Sequence, residues 1–172
     1  IIPMAKAFGL RVITTVLSED IAKSIAHLNA DVVVDTSKTS IIDVLKKEEE
    51  SGHPLNIAID CLGGDKLGEC FPYVAYGCRW IMIATLAGDI SPVNMRTMYV
   101  KNIRLIGSTL RSKPVETKAA ILTNLVQEIW PKVESGEIRP TIYKILPITD
   151  AEKAHELLEK GVSTGKVILK VK

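Results

Sequence analysis

Three short segments carry residue types suited to binding: "DCLGG" (60–64), "TLAGD" (85–89) and "STLRS" (108–112). Each closes an apolar run that reads as a buried strand. In an open parallel sheet, ligands occupy the crevice beyond the carboxyl ends of the strands, near the point where strand order reverses. Paired glycines such as Gly63 and Gly64 let a backbone approach a bound cofactor closely. Taken alone, "DCLGG" reads better as an ordinary strand-to-helix turn. Three successive strand ends that offer small, polar or glycine residues instead of bulk read as an edge that faces a cofactor.

Other chemistries find less support. Cys61, Cys70 and Cys78 form no CxxC pair and have no histidine at metal-ligand spacing, so neither a disulfide frame nor a zinc site is indicated. Unpaired thiols fit a reducing cytoplasm. His27 and His155 fall in helical segments and His53 in a Gly/Pro turn. Neither Tyr99 nor Tyr143 has a lysine four residues on, which removes the Tyr-x-x-x-Lys pair of short-chain reductases. No side chain stands out as an acid that must protonate a product, so the catalytic residues stay unknown. A net charge of +2 is too small to argue for nucleic acid or membrane partners. No apolar run reaches bilayer length.

The elements that must position these segments alternate along the chain. Strand-like runs cover 10–17, 32–35, 56–61, 80–85 and 103–109, apolar without polar alternation, as expected for strands covered on both faces. Ser18 and Ser40 are suited to cap the helices that follow them, and Asn29 sits where a left-handed turn closes one. This alternation predicts an α/β fold with a doubly wound parallel sheet. Beyond Ser112, residues 113–137 read as one long helix with Val115, Ala119, Leu122, Val126, Ile129 and Val133 along one face. An extended stretch, a capped helix "TDAEKAHELLEK" and a terminal strand follow, outside the alternation. The expected division is therefore 1–138 and 139–172.

These residues resemble a known family. "NIAIDCLGG", "GCRWIMIATLAGD", "NIRLIGSTLRSK" and "IWPKVESGEIRPTIYKILPITDAEKAHELLEKGVSTGKVILKV" are similar, in that order and spacing, to the NAD(P)H:quinone oxidoreductases. These are zinc-independent members of the medium-chain dehydrogenase/reductase superfamily. "MAKAFG" resembles the end of that family's first nucleotide-domain helix. The resemblance implies a Rossmann-type sheet lacking its first strand, which belongs between the 10–17 and 56–61 strands. It also implies that 139–172 is a segment of the catalytic domain. On this reading the chain is a fragment, expected to be inactive alone because the phosphate-binding helix N-terminus is missing.

The resemblance further implies hydride transfer from NAD(P)H to a quinone or conjugated carbonyl. Cys61 then lies near the ribose or pyrophosphate, with Gly63 in the turn beside it. Ile83, Ala84, Thr85 and Leu86, with Ser108, Thr109 and Leu110, surround the nicotinamide half. Arg111 is placed to contact cofactor or substrate, and Lys166 lies in the tail facing the cleft, although surface roles serve both residues as well. Val16 holds the place of the acid that selects NAD. In the loop of NADPH-preferring relatives, Ser18 fits the small polar position, whereas Ile21 replaces the lysine, with Lys23 two residues later, and Thr36 the tyrosine. The balance favours NADP(H) over NAD(H). The family also implies a homodimer through the Asn102–Thr109 edge strand. Competing functions are an enoyl-thioester reductase or zinc-type alcohol dehydrogenase of the same superfamily, and a non-catalytic dinucleotide- or partner-binding module.

Overall fold

The chain enters as a helix, α1 (Ile2–Ala7), which Gly9 stops at φ 70°. In the computed structural model, residues 1–161 and 163–172 are described and fall into two compact units, 36–120 and 1–35 with 121–172. Within the latter, β1 (Ile13–Val16) pairs in parallel with β2 (Val32–Asp35). Between them runs α2 (Glu19–Ile25), whose start is capped by the Ser18 hydroxyl accepting from the Ile21 N–H at 3.4 Å. Asn29 closes the connection at φ 56°. The Asp31 carboxylate accepts from the Val12 N–H at 2.7 Å and from Lys6 Nζ at 2.9 Å, which ties α1 to the strands. Those bonds, the Lys6 bond foremost, hold its pKa below the usual carboxylate value.

The 36–120 unit begins with α3 (Ile41–Glu50), capped by Ser40, and continues as β3 (Leu55–Asp60), α4 (Lys66–Cys70), β4 (Val74–Met82), α5 (Met95–Val100) and β5 (Arg104–Gly107). The three strands form one parallel sheet in the order β3-β4-β5. Ala58, Trp80 and Leu105 stand side by side in the register, as do Asp60, Met82 and Gly107 at the strand ends. β4 starts six residues before the expected Trp80. Gly77, at φ 75°, lies where the pairing with β3 shifts register. Phe71, Val74, Cys78 and Leu45 are the most deeply buried side chains, and Trp80 meets Phe71 edge-on at 5.6 Å. Lys101 Nζ donates to Glu49 Oε1 (2.8 Å) and to the carbonyls of Val74 (2.9 Å) and Pro72, joining the ends of α5 and α3 to the start of β4.

Three expectations are corrected. The strands are not covered on both faces: Ile57, Ile59 and Ile106, on the face that carries Arg79 and Arg104, remain exposed, and every residue of β5 is exposed. The 113–137 stretch is two helices, α6 (Val115–Glu128) and α7 (Trp130–Glu134). Pro131 has no N–H to continue the ladder and crowds the preceding turn, so the helix restarts there. Val115, Leu122 and Val126, assigned to an apolar inner face, are all more than half exposed. The third concerns α8 (Ala151–Glu159): Asp150 sits at its cap position but makes no capping hydrogen bond and instead pairs with Lys153 at 3.2 Å.

α8 connects β6 (Ile142–Pro147) to β7 (Lys166–Lys170), and these two pair in parallel as a sheet of their own. The architecture of the described residues is thus α/β with every sheet parallel, in three separate sheets. Among the described residues no ladder joins β1 to β3, and no helix is long and apolar enough to cross a membrane.

Burial in the 36–120 unit has two measurable consequences. Phe71→Ala removes a ring that is 0% exposed, and should lower stability by about 3–5 kcal/mol, read as a lower urea midpoint. Burial also pushes the Cys70 and Cys78 thiols up to about 11, with the Asp60 and Glu69 charges adding to the effect at Cys70. The folded chain keeps these thiols protonated where the unfolded chain ionises them. Stability is therefore full below the ordinary thiol value of 9.0 and falls as pH rises from there to about 11. At pH near 8, Cys61, which is exposed, should react promptly with a disulfide reagent, and the two buried thiols only as the chain unfolds.

Candidate functional site

The parallel sheet β3-β4-β5 sets its three carboxyl ends next to one another, and the backbone knits them together. The Ile83 N–H donates to the Asp60 carbonyl at 2.8 Å and the Ser108 N–H to the Met82 carbonyl at 2.9 Å. Further out, the Leu86 N–H donates to the Cys61 carbonyl (3.0 Å) and the Ala87 N–H to the Leu62 carbonyl (2.8 Å). The Gly64 N–H returns a bond to the Gly88 carbonyl (3.1 Å), and Ser91 Oγ donates to the Gly64 carbonyl (2.6 Å). The turn after β3 and the segment after β4 therefore form one ledge.

Asp60 organises that turn. Its Oδ1 accepts from the Leu62 N–H (2.7 Å) and the Gly63 N–H (3.1 Å), an Asx turn, while its Oδ2 accepts from Trp80 Nε1–H (2.9 Å). The glycines have a different reason from the one expected. Gly63 and Gly64 sit at φ 62° and 67°, and a Cβ on either would meet the Gly88 or Ala87 carbonyl at 2.9 or 3.1 Å. The close approach that they permit is that of the chain's own 87–88 segment.

Of the residues singled out in the sequence, nine lie on the strand ends of this unit and their loops: Gly63, Cys61, Ile83, Ala84, Thr85, Leu86, Ser108, Thr109 and Leu110. Arg111 follows on, its carbonyl taken by Lys118 Nζ at 3.0 Å. Cys61, Ile83, Leu86 and Leu110 are exposed, which gives the ledge an apolar surface. Thr85 Oγ1 donates to Asp89 Oδ1 at 2.5 Å. A depression of about 570 Å³ lies on the same unit but at the opposite, amino-terminal end of the strands, lined by Tyr76, Met95, Tyr99 and Arg104.

Ser18 and Lys166 belong to the other unit. The Ser18 hydroxyl is engaged as the cap of α2, and Lys23 pairs with Glu19 at 2.8 Å. Lys166 is exposed at the start of β7. Sequence reading assigned no part to Asp60, Trp80 or Ser91. An aspartate two residues before a turn amide was a usable signal for the first, whereas the two contacts across the loops had none.

Residues 28–169 match the model of a family described as zinc-binding dehydrogenase. Quinone oxidoreductase-like protein 2 of Mus musculus is 29% identical over 96% of this chain and 47% of its own length. Quinone oxidoreductase of Homo sapiens is 28% identical over 96% of this chain and 49% of its own. Among solved structures, an NAD-dependent alcohol dehydrogenase superposes with a TM-score of 0.73 at 26% identity, over 99% of this chain and 47% of that one. The chain thus spans about half the length of the curated relatives it matches. With its parallel strand ends and their ledge in the place that this fold gives to its ligands, the chain belongs to the zinc-binding dehydrogenase family, in the quinone oxidoreductase-like branch of the medium-chain dehydrogenase/reductase superfamily.

Proposed function

We propose that this chain is the nucleotide-binding half of an oxidoreductase that moves hydride from NADPH to a quinone or conjugated carbonyl. The observation that supports it most is the shared edge formed by Cys61, Ile83–Leu86 and Ser108–Leu110 at adjacent parallel strand ends. When bound, the dinucleotide supplies the hydride. The chain's part is to hold and orient: exposed Ile83, Leu86 and Leu110 offer apolar contact to a flat ring, and Cys61 with Gly63 lines the approach. The preference for NADPH rests on Val16, an apolar residue where selection of NAD calls for an acid. Residues 139–172, which carry a sheet separate from the others, are assigned to the catalytic domain, and the three free thiols favour a cytoplasmic home.

The family's name implies zinc, but the donor set does not fit it. Among the described residues no group of three His, Cys, Asp or Glu could hold a metal ion. Two of the three cysteines are buried with pKa values pushed up to about 11, the reverse of what a thiolate ligand needs.

NADPH consumption against a panel of quinones, enones and enoyl thioesters tests the reading. The 172-residue chain alone should show no turnover, and the longest natural protein containing it should turn over quinones or enones fastest. Steady quinone turnover by the shorter chain, or a preference of the longer one for thioesters or alcohols, overturns the assignment.

Assembly is part of the same proposal. β5 is the outer strand of its sheet, and Leu105 and Ile106 are about 40% exposed along it. A second copy pairing along the Asn102–Thr109 edge would satisfy that strand's open backbone groups. Light scattering at micromolar concentration should give a dimer, and Leu105→Pro should yield monomer, because the Ser108 N–H faces β4 and that of Leu105, three residues earlier, therefore faces the open edge.

A further inference from the structure

We propose that Asp60 is the positioning residue of this site, and that the position requires a carboxylate. The inference rests on the nucleotide-binding reading above and goes beyond it to the residue that shapes the ledge. Three donors converge on this side chain: the Leu62 and Gly63 N–H groups on Oδ1 and the Trp80 indole N–H on Oδ2. The turn that it fixes presents the Cys61 and Leu62 carbonyls, and these in turn hold the Leu86 and Ala87 N–H groups. Asp60 thus controls both loops of the ledge, one directly and one through the carbonyls of the first. An ionised carboxylate is acceptor-only and meets all three donors. An asparagine has one oxygen. It can serve the turn or the indole but not both, and its NH2 then faces a donor.

Trp80 is buried at 6% exposure and belongs to the central strand, so the bond also locks the turn to a rigid element. This gives a test that separates positioning from general support of the fold. In Trp80→Phe the indole donor is gone, and Asp60 still serves the turn. Combined with Asp60→Asn, the same change frees the amide oxygen for the turn and removes the donor that its NH2 would oppose. The double variant should therefore recover what Asp60→Asn loses.

The experiment is amide hydrogen exchange with NADPH titration on the longest natural protein that contains this chain, as wild type, Asp60→Asn, Trp80→Phe and the double variant. In Asp60→Asn the Leu62, Gly63, Leu86 and Ala87 amides should exchange about ten- to a hundredfold faster, with the β4 ladder amides unchanged and NADPH binding weakened by a similar factor. Trp80→Phe, which loses the indole tie and keeps both turn bonds, should speed exchange less than Asp60→Asn does, and the double variant should return both readouts to the Trp80→Phe level. Unchanged exchange at Leu62 and Gly63 in Asp60→Asn overturns the proposal. Loss of protection across the whole sheet does so too, since it marks support of the fold only, as does a double variant no better than Asp60→Asn. A longer wild-type protein that binds no NADPH defeats the nucleotide reading itself, and the exchange pattern then shows whether Asp60 shapes the turn regardless.

Discussion

The ledge depends on one convergence of charge and donors. A carboxylate accepts two backbone N–H groups from its own turn and an indole N–H from the neighbouring strand. Each bond is charge-assisted, and the Gly63 and Trp80 donors, partly withdrawn from water, would be costly to leave unsatisfied. From that point the order propagates by backbone alone: the turn's carbonyls bind the next loop, and the next loop's Gly88 carbonyl binds back. Glycine at positions 63 and 64 is the steric condition for that exchange, because any Cβ would occupy the space of a carbonyl oxygen.

Behind the ledge, the sheet is held from one side. Phe71, Trp80, Cys78 and Val74 give the 36–120 unit a dense interior, and Lys101 gathers three acceptors from α3 and the start of β4 at its margin. The other face keeps Ile57, Ile59 and Ile106 in contact with solvent. That asymmetry explains why the strands read as buried runs: the apolar residues are present on both faces, and apolar character in a sequence reports the capacity for burial, not its achievement.

Much of the local structure was legible because it is local. A serine before an acidic first turn caps α2, and an asparagine takes the left-handed turn before β2, from interactions within a few residues. The alternation of strands and helices likewise gave the parallel sheet, and the small residues at 61–64, 83–86 and 108–110 gave the edge that the strand order brings together. The misreadings were of two kinds. The apolar periodicity of 113–137 runs through Pro131, but the missing N–H there ends one helix and starts the next. The early start of β4 is hidden because Gly77 interrupts the run and only pairing with β3 makes the residues before it strand.

The sequence by itself determined the fold class, the family and the segments that meet at the ledge, since periodicity, capping and motif spacing are written in residue order. Tertiary structure alone decided what those segments do to one another. It gave Gly63 and Gly64 a protein carbonyl as their near neighbour, made Trp80 a donor to Asp60 across twenty positions of sequence, and left one face of the sheet open. The physical reason is that a hydrogen bond or steric contact between distant residues depends on register and approach distance, which no pattern of residue types encodes until the strands have paired.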